Sequence, residues 1–210
     1  IWYTPQSGIW QTVWLESMPD KHIRNIRYDV SAKEKSVKIT SDSFGLKQTI
    51  KIYDGDKQIL SGEYTDSIIF NYDFKLWSPE SPNLYNVVIE NGAGDRVKSY
   101  FGVRDFCIVV DKAGKKRLSL NGKPYFFSGV LDQGYWSDGM LTHPSDKAII
   151  DELQMLKDMG FNTVRKHIKN EPMRWYYHCD RLGLCVWQDF VNGGGNYKFN
   201  HIATFPFLGF

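Results

Sequence analysis

Side chains that could bind a polar substrate follow three apolar segments in the second half of the chain. Arg165 and His167 end one segment, Asp132 and Trp136 follow another, and Asp189 follows the third. Guanidinium, imidazole and carboxylate groups hydrogen-bond hydroxyls and carboxylates, and an indole ring can cover the apolar face of a sugar. We therefore treat these five as candidate substrate-binding residues.

The same residue types also have structural interpretations. Arg165 could pair with a carboxylate inside the fold, and Asp189 could close the turn that follows a strand. Gln133 comes directly after Asp132 and is a further candidate. The sequence leaves the structural and functional interpretations open at this point.

The elements that must position these side chains alternate between strand and helix. The predicted elements are a strand at 125–130, a helix from Ser145 to Gly160, a strand at 161–165, a helix from Pro172 to Gly183 and a strand at 184–187. The first helix has an apolar stripe at Ile149, Leu153, Leu156 and Met159. Alternation with short connections predicts parallel βαβ units, whose ligands bind beyond the carboxyl ends of the strands.

The first half of the chain has a different pattern. From residue 18 to 106, short β-prone runs alternate with turn signals, with strands predicted near 23–30, 37–40, 49–53, 67–70 and 84–89. This rhythm and a length of about 90 residues are typical of an antiparallel, immunoglobulin-like sandwich. Further along, Asn121-Gly122 between apolar residues predicts a hairpin with a type I′ turn.

Composition excludes several classes of protein. The chain is 42% hydrophobic, which excludes a disordered tail, and its 26 basic and 24 acidic side chains give only +2. We therefore expect neither a nucleic-acid partner nor a membrane partner, and no apolar run is long enough to span a bilayer. Three cysteines, Cys107, Cys179 and Cys185, form neither a disulfide framework nor a zinc pattern.

The two ends of the chain carry no processing signals. The chain begins Ile-Trp-Tyr, without Met or a basic-then-apolar signal peptide, and it ends in Phe-Leu-Gly-Phe. We expect both ends to be cut from a longer parent. The compartment stays open between cytoplasm and periplasm.

Six segments, in chain order, resemble glycoside hydrolase family 2, the family of β-galactosidases, β-glucuronidases and β-mannosidases. They are SGIWQTVWLE at 7–16, LWSPESPNLY at 76–85, FGVR at 101–104, LNGKP at 120–124, FNTVR at 161–165 and CDRLGL at 179–184. The resemblance implies a multidomain chain, β and then α/β. Residues 1–17 would be the last strand of a jelly-roll sugar-binding domain, 18–108 an immunoglobulin-like β-sandwich, and 109–210 the first three β/α units of a truncated TIM barrel.

The resemblance also implies an activity for the full-length parent, the hydrolysis of a terminal β-linked sugar with retention. Retaining hydrolysis uses two glutamates about 5–5.5 Å apart, one as acid/base and one as nucleophile. In the family these follow the fourth barrel strand and lie on the seventh, so we expect this chain to lack both and to be inactive. Asn170-Glu171 imitates the acid/base pair, but we interpret Glu171 as an acid in the first turn of a helix.

The remaining site residues are also assigned through the resemblance. Arg165 matches the family's barrel arginine near the substrate, and His167 lies where the family often has a histidine. Asp132, Trp136 and Asp189 would line the rim or a subsite. The glycine run at 193–195 stands where metal-binding β-galactosidases have a Glu and a His, so we predict no metal and no cofactor.

The expected partner of the parent is a carbohydrate substrate. The fragment itself could self-associate through the open barrel. An alternative of another class is a non-catalytic carbohydrate-binding or assembly module built on the sandwich. Exposed aromatic residues on the sandwich that bind saccharides would favour this alternative.

Overall fold

The computed structural model describes residues 6–191 and residue 208. Its first seven strands are β1 (Arg24–Ser31), β2 (Ser36–Asp42), β3 (Gln48–Asp54), β4 (Lys57–Tyr64), β5 (Ser67–Asn71), β6 (Tyr85–Asn91) and β7 (Arg96–Phe101). They form two antiparallel sheets with the orders β1-β2-β5 and β4-β3-β6-β7. Residues 6–23 carry no strand, so the assignment of residues 1–17 to a jelly-roll strand stays a prediction.

The sandwich core follows from alternation along the strands. Val37 and Ile39 of β2 and Ile50 and Ile52 of β3 are fully buried in one cluster, whereas Lys38 between the first two is exposed. Because successive side chains of a strand point to opposite faces, one face of each sheet supplies the shared core. The predicted β-sandwich is confirmed.

Two strands of the sandwich, β4 and β7, were not among the predicted strands. Both lie at the edges of the four-stranded sheet. An edge strand has one neighbour only and tolerates more polar side chains, such as Lys57 and Arg96 at the starts of these two. The apolar alternation is therefore weak in both segments.

A small antiparallel sheet follows the sandwich. It contains β8 (Phe106–Val110), β9 (Lys116–Leu120) and β10 (Lys123–Pro124), in the order β10-β9-β8. Asn121 and Gly122 have φ values of 53° and 76°, as a type I′ turn requires, so the predicted hairpin is correct. The predicted boundary between residues 108 and 109 falls inside β8.

The described chain then forms a parallel α/β unit. Its elements are β11 (Gly129–Asp132), α1 (Asp146–Asp158), β12 (Thr163–Lys166), α2 (Met173–Leu182) and β13 (Cys185–Gln188), and β12 is the central strand. Ser145 caps α1 by accepting a hydrogen bond from the Ala148 N–H, and Gly183 ends α2 at φ 80°. Neither helix is long and apolar enough to cross a membrane.

Two details of the predicted α/β unit are wrong. The strand predicted at 125–130 begins at Gly129, because Tyr125 still bonds to Leu118 of the hairpin and pairing with β12 starts only beyond it. At Gly129 a Cβ atom would lie 2.6 Å from the carbonyl oxygen of Thr163. Met159, predicted in the apolar stripe of α1, is 65% exposed.

The sandwich and the α/β unit are joined through Asp180 of α2. Its backbone oxygen accepts a 2.7 Å hydrogen bond from the buried Trp77 indole. Its carboxylate accepts hydrogen bonds from Arg104 at 2.7 Å and from the Tyr100 hydroxyl at 3.0 Å. The junction is therefore a specific, hydrogen-bonded interface.

Candidate functional site

Alternation along the parallel strands sorts the candidate residues onto two faces of the sheet. Two adjacent rows run across the strands in register, Leu131–Arg165–Trp187 and Asp132–Lys166–Gln188. Lys166 is fully buried, with its ammonium 4.3 Å from the ring centroid of Trp175 in α2. The second row therefore faces the helices, and the first row faces away from them.

Arg165 and Asp189 pair on the face away from the helices. The guanidinium Nε and Nη2 each donate a 3.0 Å hydrogen bond to one oxygen of the Asp189 carboxylate. This two-pronged geometry suits a planar guanidinium and a carboxylate. The hydrogen bond from Arg165 holds the pKa of Asp189 below its ordinary value.

His167 joins the pair from the same edge of the sheet. Its Nδ1 lies 2.9 Å from the Gln133 side-chain nitrogen, and its Nε2 lies 3.9 Å from an oxygen of Asp189. Arg165, His167, Asp189 and Gln133 thus form one cluster, called here the strand-end cluster. Asn192 and the glycine run at 193–195, which follow Asp189, lie outside the described residues.

Asp132, predicted to line the rim or a subsite, lies on the opposite face of the sheet from Arg165. Its carboxylate pairs with the ammonium of Lys166 and accepts a 2.6 Å hydrogen bond from the Gly134 N–H. Burial lowers the pKa of Lys166, but the carboxylates of Asp132 and Glu171 outweigh burial and leave it raised above its ordinary value.

Glu171 is not in the first turn of a helix, because α2 begins at Met173 and Pro172 is its N-cap. Its buried carboxylate lies 2.9 Å from the ammonium groups of both Lys166 and Lys169. A buried carboxylate that forms ion pairs with two ammonium groups has its charge compensated inside the fold, which is a structural role. We call Asp132, Lys166, Lys169 and Glu171 the buried ion cluster. Sequence reasoning did not single out either lysine.

Trp136 packs beside this cluster and away from Arg165. Its ring lies 5.3 Å from that of His143, whose Nδ1 is 3.6 Å from a carboxylate oxygen of Glu171. Burial, opposed by Glu171, lowers the pKa of His143 to about 4. Burial, assisted by Asp132, raises the pKa of Glu152 in α1 to about 7. Trp136 is therefore not a partner of the strand-end cluster.

The strand-end cluster offers a cation, an imidazole, an amide and a paired carboxylate at the carboxyl ends of three parallel strands. Such groups can hydrogen-bond and orient a polar ligand. Within residues 6–191 and residue 208, no group of three or more His, Cys, Asp and Glu side chains could hold a metal ion.

Comparison with known families identifies the first half of the chain. Residues 12–104 match a family model described as glycosyl hydrolases family 2. These residues are thus similar to a domain of that family. The matched segment includes the whole seven-stranded sandwich, as the sequence resemblance implied.

Solved β-glucuronidases have a similar fold. They include one from an uncultured Clostridium species (TM-score 0.72, 20% identity, 85% of this chain and 31% of that chain). Another is from Dictyoglomus thermophilum (0.71, 19% identity, 86% and 31%), and β-glucuronidase 3 of Bacteroides uniformis is a third (0.66, 26% identity, 84% and 24%). The chain thus spans between 24% and 31% of the length of these proteins.

Proposed function

We propose that the chain is part of a retaining β-glycosidase of family 2 that hydrolyses a terminal β-linked sugar. In this proposal residues 109–210 are the first three β/α units of a catalytic (β/α)₈ barrel, and residues 1–17 are the last strand of a jelly-roll domain. The two catalytic glutamates belong to barrel strands beyond this chain.

The observation that carries the proposal is the position of the strand-end cluster. Arg165, His167 and Asp189 follow consecutive parallel strands, on the face turned away from the helices. When such a sheet closes into a barrel, this face is inside, and the carboxyl ends of the strands carry the active site. A structural match that covers 86% of the chain also extends beyond residues 12–104.

The chemistry assigned to the cluster is positioning. Arg165 keeps a fixed orientation through Asp189, so its remaining N–H groups can hydrogen-bond a sugar or one of the catalytic carboxylates. His167, oriented by Gln133, can donate to or accept from a sugar hydroxyl. Such orientation accelerates a reaction by holding the reacting groups in place.

The finer choice of sugar is also part of the proposal. The similar structures are named β-glucuronidases, and a guanidinium suits a sugar carboxylate. A β-glucuronide is therefore the first substrate to test, followed by a β-galactoside and a β-mannoside.

The aromatic residues of the sandwich do not favour the alternative of a non-catalytic binding module. Phe74, Tyr85 and Phe101 are in the core. Between residues 24 and 101, from β1 to β7, Phe44 and Tyr72 are the aromatic side chains with large exposure, and the Arg24 guanidinium lies 4.3 Å from the Phe44 ring centroid. A flat aromatic platform for a sugar is thus missing from this part of the chain.

The test uses the longer protein encoded by the natural reading frame around this segment. It is assayed with aryl β-glucuronide, β-galactoside and β-mannoside, and NMR follows the anomer that appears first. Hydrolysis of one substrate with the β-anomer formed first supports the proposal. A folded longer protein that hydrolyses none of them, while its sandwich binds saccharides, would support the binding module.

A further inference from the structure

A cleft opens beside the strand-end cluster, between the N-terminal segment and two loops of the α/β unit. Its volume is about 420 Å³, within the range of about 300–1,000 Å³ typical of small-molecule sites. Its lining includes Trp10, Gln11, Gln133, Ile168, Lys169 and Asn170. Aromatic rings and amides together can cover the apolar face of a sugar and hydrogen-bond its hydroxyls.

The N-terminal segment is fastened over this cleft by three contacts. The Thr142 hydroxyl donates to the backbone oxygen of Trp10 at 2.6 Å, and the Gln11 amide donates to the backbone oxygen of Asn170 at 3.3 Å. The ammonium of Lys169 lies 4.8 Å from the Trp10 ring centroid, within cation–π range. The indole is therefore held in place without a ligand.

The opposite wall contains a strained residue. Ile168 has a φ of 51°, which is rare for a β-branched side chain and is found where the surrounding structure imposes it. Here the buried ion cluster imposes it, because Lys166 and Lys169 on either side of Ile168 both bind the Glu171 carboxylate. Strain of this kind concentrates at ligand sites.

The ion cluster also fixes the second loop of the cleft. Lys169 donates a 2.6 Å hydrogen bond to the backbone oxygen of Gly134. A Cβ atom at Gly134 would lie 2.2 Å from the Glu171 carboxylate, so this loop packs directly on the buried charges. The two loops therefore form one preformed wall.

Gln133 connects the cleft with the strand-end cluster. Its side chain lines the cleft and also hydrogen-bonds His167 at 2.9 Å. We propose that this cleft is a saccharide subsite that binds a second sugar ring of the substrate, next to the ring held at Arg165 and His167, with Trp10 as its aromatic contact. This inference rests on the proposed function, and it makes the substrate an oligosaccharide.

The test measures binding by the longer protein encoded by the natural reading frame, with S-linked ligands that resist hydrolysis. Ligand-observed NMR is used to titrate S-linked β-disaccharides and methyl β-thioglycosides. We expect disaccharides to bind more tightly than methyl glycosides, Trp10→Ala to weaken disaccharide binding by about tenfold or more, and Trp10→Phe to restore part of it. Trp14→Ala is the matched control, because Trp14 is on the same segment, 68% exposed and outside the cleft.

Three results would overturn the subsite. The first is no disaccharide binding at tens of millimolar. The second is equal disaccharide affinity of the unmutated protein and Trp10→Ala. The third is a loss of affinity in Trp14→Ala as large as that in Trp10→Ala. Far-ultraviolet circular dichroism of each variant separates a lost contact from a lost fold, and Trp10→Phe keeps an aromatic ring if Trp10→Ala unfolds. A longer protein without hydrolysis would contradict the proposed function and leave this binding result standing.

Discussion

The guanidinium of Arg165 and the carboxylate of Asp189 form two hydrogen bonds of 3.0 Å between the ends of neighbouring parallel strands. The pair lies on the exposed face of the sheet, where it contributes little to stability because exposed ion pairs contribute about 0–1 kcal/mol. We therefore propose that this fixed, half-exposed arginine serves ligand binding rather than folding.

The first prediction concerns Arg165 in the longer protein. Arg165→Ala should lower kcat/KM by a factor of about 100 or more, because the groups that Arg165 orients lose their positions. Its melting temperature should stay close to that of the parent. Arg24→Ala, which removes an exposed pair with Asp42 in the sandwich, should change neither quantity. Collapse of stability with normal activity per folded molecule would make Arg165 structural.

The second prediction is that the 210-residue chain does not hydrolyse aryl β-glycosides. Glycoside hydrolysis needs two carboxyl groups on either side of the scissile bond. In the described structure Asp189 is engaged by Arg165, and Glu171 is enclosed by two lysines on the opposite face. The unmutated chain and Glu171→Gln should therefore both show only the hydrolysis rate of the buffer control. Turnover above background, above all turnover that Glu171→Gln abolishes, would contradict our account of the catalytic residues.

The third prediction concerns the buried ion cluster. Lys166→Met should lower the free energy of unfolding of the α/β unit by about 3–5 kcal/mol, because it leaves Asp132 without its cation and Glu171 with Lys169 alone. Lys147→Met, which removes an exposed pair with Asp151 on α1, should change it by at most about 0.5 kcal/mol. Urea unfolding of both variants provides the comparison. An equal loss of unfolding free energy in the two variants would mean that the buried ion pairs of Lys166 stabilise the fold no more than an exposed pair does.

The fourth prediction is a pH dependence from Glu152. Its pKa in the folded protein, about 7, is above its ordinary value of 4.5. The folded state therefore binds more protons between these values, and this group costs stability as pH rises through them. Glu152→Gln removes the cost. Because Glu152 keeps some contact with solvent, the variant should be more stable than the parent by about 1–2 kcal/mol at pH 8.

The control for Glu152 is the same comparison at low pH. At about pH 3.5 the difference between Glu152→Gln and the unmutated protein should nearly vanish, because the carboxyl group is then mostly protonated in both the folded and the unfolded state. Taking the difference cancels the opposite contribution of His143, whose pKa is lowered to about 4. Urea midpoints between about pH 3.5 and pH 8 measure this difference. A constant difference across this range would contradict the assignment.

The fifth prediction is self-association of the 210-residue chain through the open sheet, or partial disorder of the segment from residue 111 to 210. Trp187 is 47% exposed and Phe190 is 97% exposed. The neighbouring Val186 packs against the helices. Exposed apolar faces favour pairing with other chains.

Light scattering and limited proteolysis check this prediction. Trp187→Lys should shift the chain toward the monomer, and Ile69→Lys, at a 60% exposed position of the sandwich, should not. The sandwich, residues 18–106, should resist protease best. A strictly monomeric chain whose last hundred residues resist protease equally well would argue for a self-sufficient α/β domain.

Much of the fold could be predicted because local signals agree with it. Asn121-Gly122 specifies its turn through two positive φ values, and Ser145 and Gly183 mark helix ends by their hydrogen bonding and backbone freedom. The edge strands β4 and β7 could not be predicted in this way. Each has only one neighbouring strand and tolerates polar side chains, so the alternation of apolar and polar residues is weak in both.

The site was predictable in part. Period-two alternation alone separates Arg165 from Lys166, but placing Asp132 on the helix side also requires the register between β11 and β12. The lysines were missed because a buried lysine looks the same in sequence as an exposed one. Only the tertiary structure brings Glu171, five residues further on, against Lys166.

The hydrogen bonds of Asp180 have a consequence for the order in which the chain folds during synthesis. Its partners Trp77, Tyr100 and Arg104 all precede α2 in the chain. Domains generally fold from the N-terminus as they leave the ribosome. The nascent α2 therefore packs against a sandwich that is already folded. Its hydrogen bonds to the sandwich fix the orientation of α2 before the strand that follows it is added.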